Sequence, residues 1–193
     1  MTEEALDYVM SMKDLPRIAI VNKPSWHEGI IGLVASMIKE RFNIPSIVLT
    51  KDEDSAFLKG SCRSINGLNI RDVLAEYDRR HPDSLVKFGG HAMAAGLSIR
   101  AKDIEQFERV MTEICSQLIT EDMLSKVLLV DGELPIEHRT IGFAKELIHK
   151  GPWGNGFEKP LFYNTFELCE QYIVGGKHLK IVLGDGDHFY PGI

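Results

Sequence analysis

Cysteine is scarce in this sequence: Cys62, Cys115 and Cys169 are three in 193 residues, far apart and without a C-x-x-C pair. An odd, scattered set excludes a disulfide framework and a zinc ribbon, and it fits a reducing cytoplasm. Long apolar runs are missing as well. No stretch approaches the roughly 18 residues that a membrane span requires. The opening "MTEEALDYVM" is acidic and lacks the basic-then-apolar order of a secretory signal. Positive charge is not in surplus: 22 Lys and Arg stand against 28 Asp and Glu, a net charge of -6. That excludes a surface basic all round, though not a local basic groove. Low-complexity tracts, internal repeats, a P-loop and a nucleophile–base pattern are all absent. Metal-assisted phosphodiester cleavage needs several clustered Asp and His ligands. The acidic groups here, "KDED" and "DGDH", read instead as a solvated turn and a hairpin loop.

What remains is an ordinary globular composition, 44% hydrophobic and 26% charged, enough for one good-sized domain or two small ones. Residues 3–12 read as a short helix. "RIAIVN" (Arg17 to Asn22) and "PSIVLT" (Pro45 to Thr50) read as strands around a helix in "IIGLVASMIKERF", where Ile30, Leu33, Val34, Met37 and Ile38 recur at helical spacing. "AFLKGSCRS" is a further strand. Asn69 caps a helix with Ile70, Val73, Leu74 and Tyr77 on one face, "AAGLSI" is a strand, and Asp103 caps a helix that turns Ile104, Phe107, Met111, Ile114 and Leu118 inward. Beyond Thr120 the character changes. "KVLLVDGEL" reads as a strand, "TIGFAKELIHKG" as a helix stopped by Lys150 and Gly151, and the remainder as β-strands with a hairpin turn at Gly175-Gly176. The expected architecture is an α/β domain with a mixed sheet over residues 17–119, preceded by a linker helix (1–16) and followed by a partial small β-barrel (126–193).

Three segments carry donors suited to phosphate. In "WHEGIIG" a glycine-bearing helix entry offers free N–H groups, with Trp26 and His27 on the loop before it. The plainer alternative makes Trp26 a hydrophobic staple and His27 a surface residue. In "GSCRS", Arg63 supplies a planar fork of donors, and Ser61 and Ser64 add neutral ones. Its alternative is an edge-strand arginine in water, with Cys62 small, buried and inert. In "FGGHAMAAG", Gly89 and Gly90 let the backbone approach an anion, and His91 can donate from its ring. The alternative is a tight turn with close packing. By residues alone, this is a phosphate-binding module with no catalytic residue and no metal ligand set.

The motifs "WHEGIIGLVASMIKERF", "LKGSCRSINGLNIRDVL", "KFGGHAMAAGLSI" and "GPWGNGFEKPLF", in this order, closely resemble the RecJ family of bacterial single-strand-specific exonucleases, in its gammaproteobacterial form. The resemblance implies a DHH-associated nucleic-acid-binding domain followed by part of an OB-fold. It also implies that the DHH domain, which in the family binds manganese or magnesium and performs hydrolysis, is not in this sequence. The only "DH" pair, Asp187-His188, continues with Phe189 and is not the signature. The family activity is 5′-to-3′ degradation of single-stranded DNA in repair and recombination, so this portion alone is expected to be inactive and to hold no metal.

Carried onto the matching positions, the resemblance makes Ser61, Arg63 and Ser64 a backbone clamp. It makes Gly89, Gly90 and His91 the contact near the scissile phosphate, and it implicates Trp26 and His27. Phe162, Tyr163, Phe166 and Tyr172 are either stacking platforms or barrel interior. Expected partners are single-stranded DNA, then single-strand-binding protein and a helicase. Two other readings stay open: a DHH-group phosphoesterase of short oligonucleotides or cyclic dinucleotides, whose relatives carry a glycine where Phe88 stands, and a non-catalytic module that recruits a partner.

Overall fold

The computed structural model describes residues 6, 7, 9, 10, 16–52, 56–154 and 157–192. The chain divides into two units, Met1–Lys126 and Val127–Ile193.

The first unit is built on strands that alternate in what they bury. It has β1 (Ala19–Asn22), β2 (Ser46–Lys51), β3 (Phe57–Arg63), β4 (Leu85–Gly90) and β5 (Ala94–Arg100), in one sheet of order β1-β2-β3-β5-β4. β1 runs parallel to β2, and every other pairing is antiparallel. Between β1 and β2 the chain forms α1 (Glu28–Phe42), the crossover that a parallel pair requires. Helices α2 (Ile70–Arg80) and α3 (Ile104–Leu118) precede β4 and follow β5, and the short α4 (Glu121–Leu124) comes last. Successive side chains on a strand point to opposite faces. Ala19, Val21 and Val48 therefore pack under α1 with Ile31, Val34, Ala35 and Ile38. Ile18, Ile47, Leu49, Leu58, Cys62, Leu97 and Ile99 pack under α2 and α3 with Leu74, Tyr77, Phe107 and Met111. The result is three layers, helix, sheet and helices.

Asn69 caps α2 by accepting from the Arg71 and Asp72 amides, and Ile70, Val73, Leu74 and Tyr77 are its buried face, as the spacing predicts. Several local expectations are corrected. On α1 the core takes Ile31 and Ala35, leaving Leu33 62% exposed. Asp103 stands at the start of α3 without a side-chain cap bond, because a 3-10 turn over Ala101–Asp103 runs directly into the helix. Leu118, in the last turn of α3, is exposed. Leu6, Asp7, Val9 and Met10 are helical; the rest of the expected 3–12 helix, and part of "KDEDS", lie outside the described residues.

The second unit contains α5 (Ile141–Lys150), capped by the Thr140 side chain, and a three-stranded antiparallel sheet of β6 (Glu167–Val174), β7 (His178–Asp185) and β8 (His188–Gly192). Gly175 and Gly176 turn β6 into β7 with φ of 61° and 68°, a left-handed pair that glycine adopts without strain. The "KVLLVDGEL" stretch forms no strand: only an isolated bridge, Glu133 to Tyr163, occurs there, and Val127 to Val130 are exposed. Its apolar composition mimics a strand, but its pairing stops at that bridge and two backbone bonds, Asp131 N to Leu161 O and Tyr163 N to Gly132 O, too few to form a ladder. No helix among them is long and apolar enough to cross a membrane.

Candidate nucleic-acid interface

α1 covers only one half of its face of the sheet. β2 turns Ser46, Val48 and Thr50 toward it, all buried, with Ser46 Oγ donating to Ala35 O at 2.6 Å. The other half is open. Directly opposed residues on neighbouring strands project from the same side, so register defines the open floor in rows. Lys59, Ser98 and Lys87 form one row, Ser61, Gly96 and Gly89 the next, and Arg63 and Ala94 the third. The third row extends to His91, whose amide donates to Ala94 O at 2.8 Å. Arg63 and His91 thus flank one residue from either side, their backbones two strand spacings or about 10 Å apart across the sheet. The first two rows line a groove of about 680 Å³ with Glu28, Gly29, Ile31 and Gly32 of α1 as its wall.

Arg63 is half-buried and held by neutral partners. Its Nε donates to Ser36 Oγ at 3.0 Å, and its Nη1 donates to Ser61 Oγ at 3.1 Å and to Cys62 O at 2.9 Å. None of these is a carboxylate. α1 comes this close because residue 32 is glycine: a Cβ there would lie 3.2 Å from both Arg63 Nη2 and Ser61 Oγ. A half-buried guanidinium fixed by hydroxyls and a carbonyl, with no carboxylate partner among the described residues, is set up for an anion.

The third segment differs from its expectation. Gly89 and Gly90 are not themselves a tight turn but end β4, the edge strand, which returns through residues 91–93 as a hairpin into β5. An edge strand keeps every other backbone amide unpaired. At Gly89 a Cβ would meet nothing within 4 Å, so the backbone is bare to the groove. His91 is exposed beside it.

Other expected contacts are placed elsewhere. Ser64 is fully buried, and its Oγ donates to Leu68 O at 2.7 Å; it shapes the loop after β3 and cannot reach a ligand. Trp26 is 5% exposed and packs in the α1 core, so it offers no ring to a base. His27 is exposed at the start of α1, where its Nδ1 accepts from the Gly29 amide at 3.0 Å. That bond commits Nδ1 to the helix and leaves Nε2 as the donor. In the second unit, Phe166 meets Tyr190 edge-on, and the Arg139 guanidinium lies 5.2 Å from its ring centre, so Phe166 belongs to an internal cluster. Phe162 stands 6.4 Å from Phe143. Tyr163 and Tyr172 are exposed. The residues that sequence reasoning overlooked are Lys59, Lys87, Ser98 and Glu28. The i, i+2, i+4 run of Lys59, Ser61 and Arg63 in "FLKGSCR" was the available signal.

Comparison with known proteins gives this geometry its family. The DHHA1 domain model matches residues 15–117, and the RecJ OB domain model matches residues 130–193. The chain belongs to the DHHA1 domain family, in the form that RecJ proteins carry. It is 41% identical over 173 residues to the single-stranded-DNA-specific exonuclease RecJ of Salmonella typhimurium, covering 90% of this chain and 30% of that protein. RecJ of Bacillus subtilis is 37% identical over 161 residues, covering 83% of this chain. The chain thus spans about 30% of the length of the gammaproteobacterial relatives it matches. The crystal structure of RecJ from Thermus thermophilus in complex with Mn2+ superposes with a TM-score of 0.76 at 21% identity, over 99% of this chain and 28% of that one, and so shares the fold.

Proposed function

We propose that this chain is the nucleic-acid-gripping portion of a RecJ-type, metal-dependent 5′-to-3′ exonuclease of single-stranded DNA, working in cytoplasmic repair and recombination. The observation that carries the reading is Arg63: a half-buried guanidinium whose partners among the described residues are all neutral, beside a groove floored by glycine. Such a groove takes an unpaired strand by its backbone. Arginine, hydroxyl and amide donors hold phosphates without reading bases. Single-strand-binding protein and a helicase are the partners that this setting brings.

Manganese or magnesium enters this reading through the relatives. Among the described residues no three His, Cys, Asp or Glu side chains lie together as ligands. The described residues offer no such ligand set, and no hydrolytic step is assigned to them. Our reading puts the catalytic metal site in a further domain of the whole protein, since the chain spans about 30% of the length of its RecJ relatives.

The test is binding of oligothymidylate to the 193-residue chain across a salt series. Arg63→Ala is expected to weaken binding and to reduce the log–log salt slope by about 0.7, the single-strand value per phosphate. An unchanged affinity and slope would remove Arg63 from the interface.

A further inference from the structure

We propose that Lys59 and Lys87 form a second phosphate subsite at the far end of the groove, held closed in the free chain by Glu28. This rests on the groove being a single-strand site and adds to it a second station and a built-in competitor. Lys59 on β3 and Lys87 on β4 both oppose Ser98 on β5, and all three line the groove. Four residues along β3 separate Lys59 from Arg63, a distance of about 13 Å. The row between them, Ser61, Gly96 and Gly89, carries no charged side chain, so a strand lying along β3 meets cations at both ends and bare backbone in the middle. The row spacing of about 6.6 Å is comparable with the repeat of successive phosphates along an extended strand.

The two lysines differ in state. Lys87 is exposed, with no carboxylate partner among the described residues. Lys59 Nζ lies 2.7 Å from Glu28 Oε2 and 3.0 Å from Asp52 Oδ1. Glu28 stands in the first turn of α1, so its bond to Lys59 ties the groove wall to the groove floor. The three side chains are 40%, 56% and 21% exposed, which makes these pairs exchangeable. A phosphodiester entering the row takes the Lys59 ammonium from Glu28, and the released carboxylate swings to solvent. Until then two carboxylates offset the two lysines of the row, and the end of the groove has no net charge to draw a backbone. Asp52, the less exposed carboxylate, anchors the lysine stem on β3 while Glu28 exchanges.

A double-mutant cycle tests this on the full chain, read by oligothymidylate anisotropy and with melting curves as the folding control. Glu28→Gln is expected to tighten binding about threefold to fivefold, and the gain is expected to vanish when Lys59 is already alanine. Lys87→Ala is expected to weaken binding up to about fivefold and to lower the salt slope by about 0.7. A gain from Glu28→Gln that persists in the Lys59→Ala background would show general repulsion and overturn the gate. An unchanged Lys87→Ala would overturn the subsite. If either occurs while Arg63→Ala still weakens binding, the inference fails and the single-strand reading stands. If Arg63→Ala is also silent, the reading itself has failed.

Discussion

At Gly90 the backbone φ is +140°, and an added Cβ would run into Ala94 O and lie 2.6 Å from Ala95 Cα. Gly89, one residue earlier, faces open space. Gly90→Ala should therefore cost about 1–3 kcal/mol in a urea melt, the range for strained backbone positions. Gly89→Ala should change stability by less than about 0.5 kcal/mol yet weaken oligothymidylate binding, because its methyl occupies the groove floor. Equal losses of stability would contradict the assignment. The thiols separate in the same way. Burial pushes Cys62 and Cys115 up to about 12, while Cys169 is exposed. A thiol reagent at pH 8 should modify one cysteine in the folded chain and three after unfolding. The folded chain holds these protons more tightly, so their contribution to stability is intact below the ordinary thiol value of 9.0 and is lost as pH climbs from there toward about 12. A denaturation series above pH 9 measures it.

Helices α2 and α3 are joined outside their shared core by charge. Glu76 accepts from Arg79 and Arg80, and Arg80 also reaches Glu113 on α3 at 3.2 Å. The hydrogen bonds from Arg79, then Arg80, hold the Glu76 carboxyl down to about 2. A depressed carboxyl stabilises above its ordinary value of 4.5, and that contribution is lost as pH falls toward about 2. Glu76→Gln should thus lower the melting temperature at pH 7 and leave it unchanged near pH 2. It should also matter less in high salt, since the network is exposed. Beneath it, Tyr77 Oη and Ser84 Oγ share a buried 2.9 Å bond that fixes the chain between α2 and β4. The elements bearing the groove are in this way fixed from below by helices that do not touch it.

Across the whole molecule the two units are held together differently. Every buried hydrophobic side chain among the described residues falls between Val9 and Ile119, in the first unit. The second unit leaves Leu128, Leu129, Ile141 and Ile173 exposed, and β6 is exposed along its whole length. Local opening free energy follows buried apolar contact. In hydrogen exchange, β2 and β5 amides should be the slowest, while those of β6 should exchange orders of magnitude faster. Comparable protection in both would contradict this division. Charge also reads at this scale. A net charge of -6 disfavours indiscriminate binding to polyanions, while Lys59, Arg63 and Lys87 are gathered on one sheet face.

The sequence by itself determined whatever depends on a few consecutive residues. The Asn69 cap, the apolar face of α2, the Gly175-Gly176 turn and the alternation of "FLKGSCR" each express local sterics or a short period. The family was equally legible, because four ordered motifs carry it. β4 was hidden, since two glycines and an exposed lysine do not look like a strand until β5 supplies its partner. The same locality misled at "KVLLVDGEL", where strand-like composition found only an isolated bridge and no ladder. Only the tertiary structure put Arg63 and His91 on either side of Ala94, buried Ser64 and Trp26, and set Lys59 against Glu28. Those relations depend on strand register and on how closely α1 approaches at Gly32, which are contacts between residues remote in the chain.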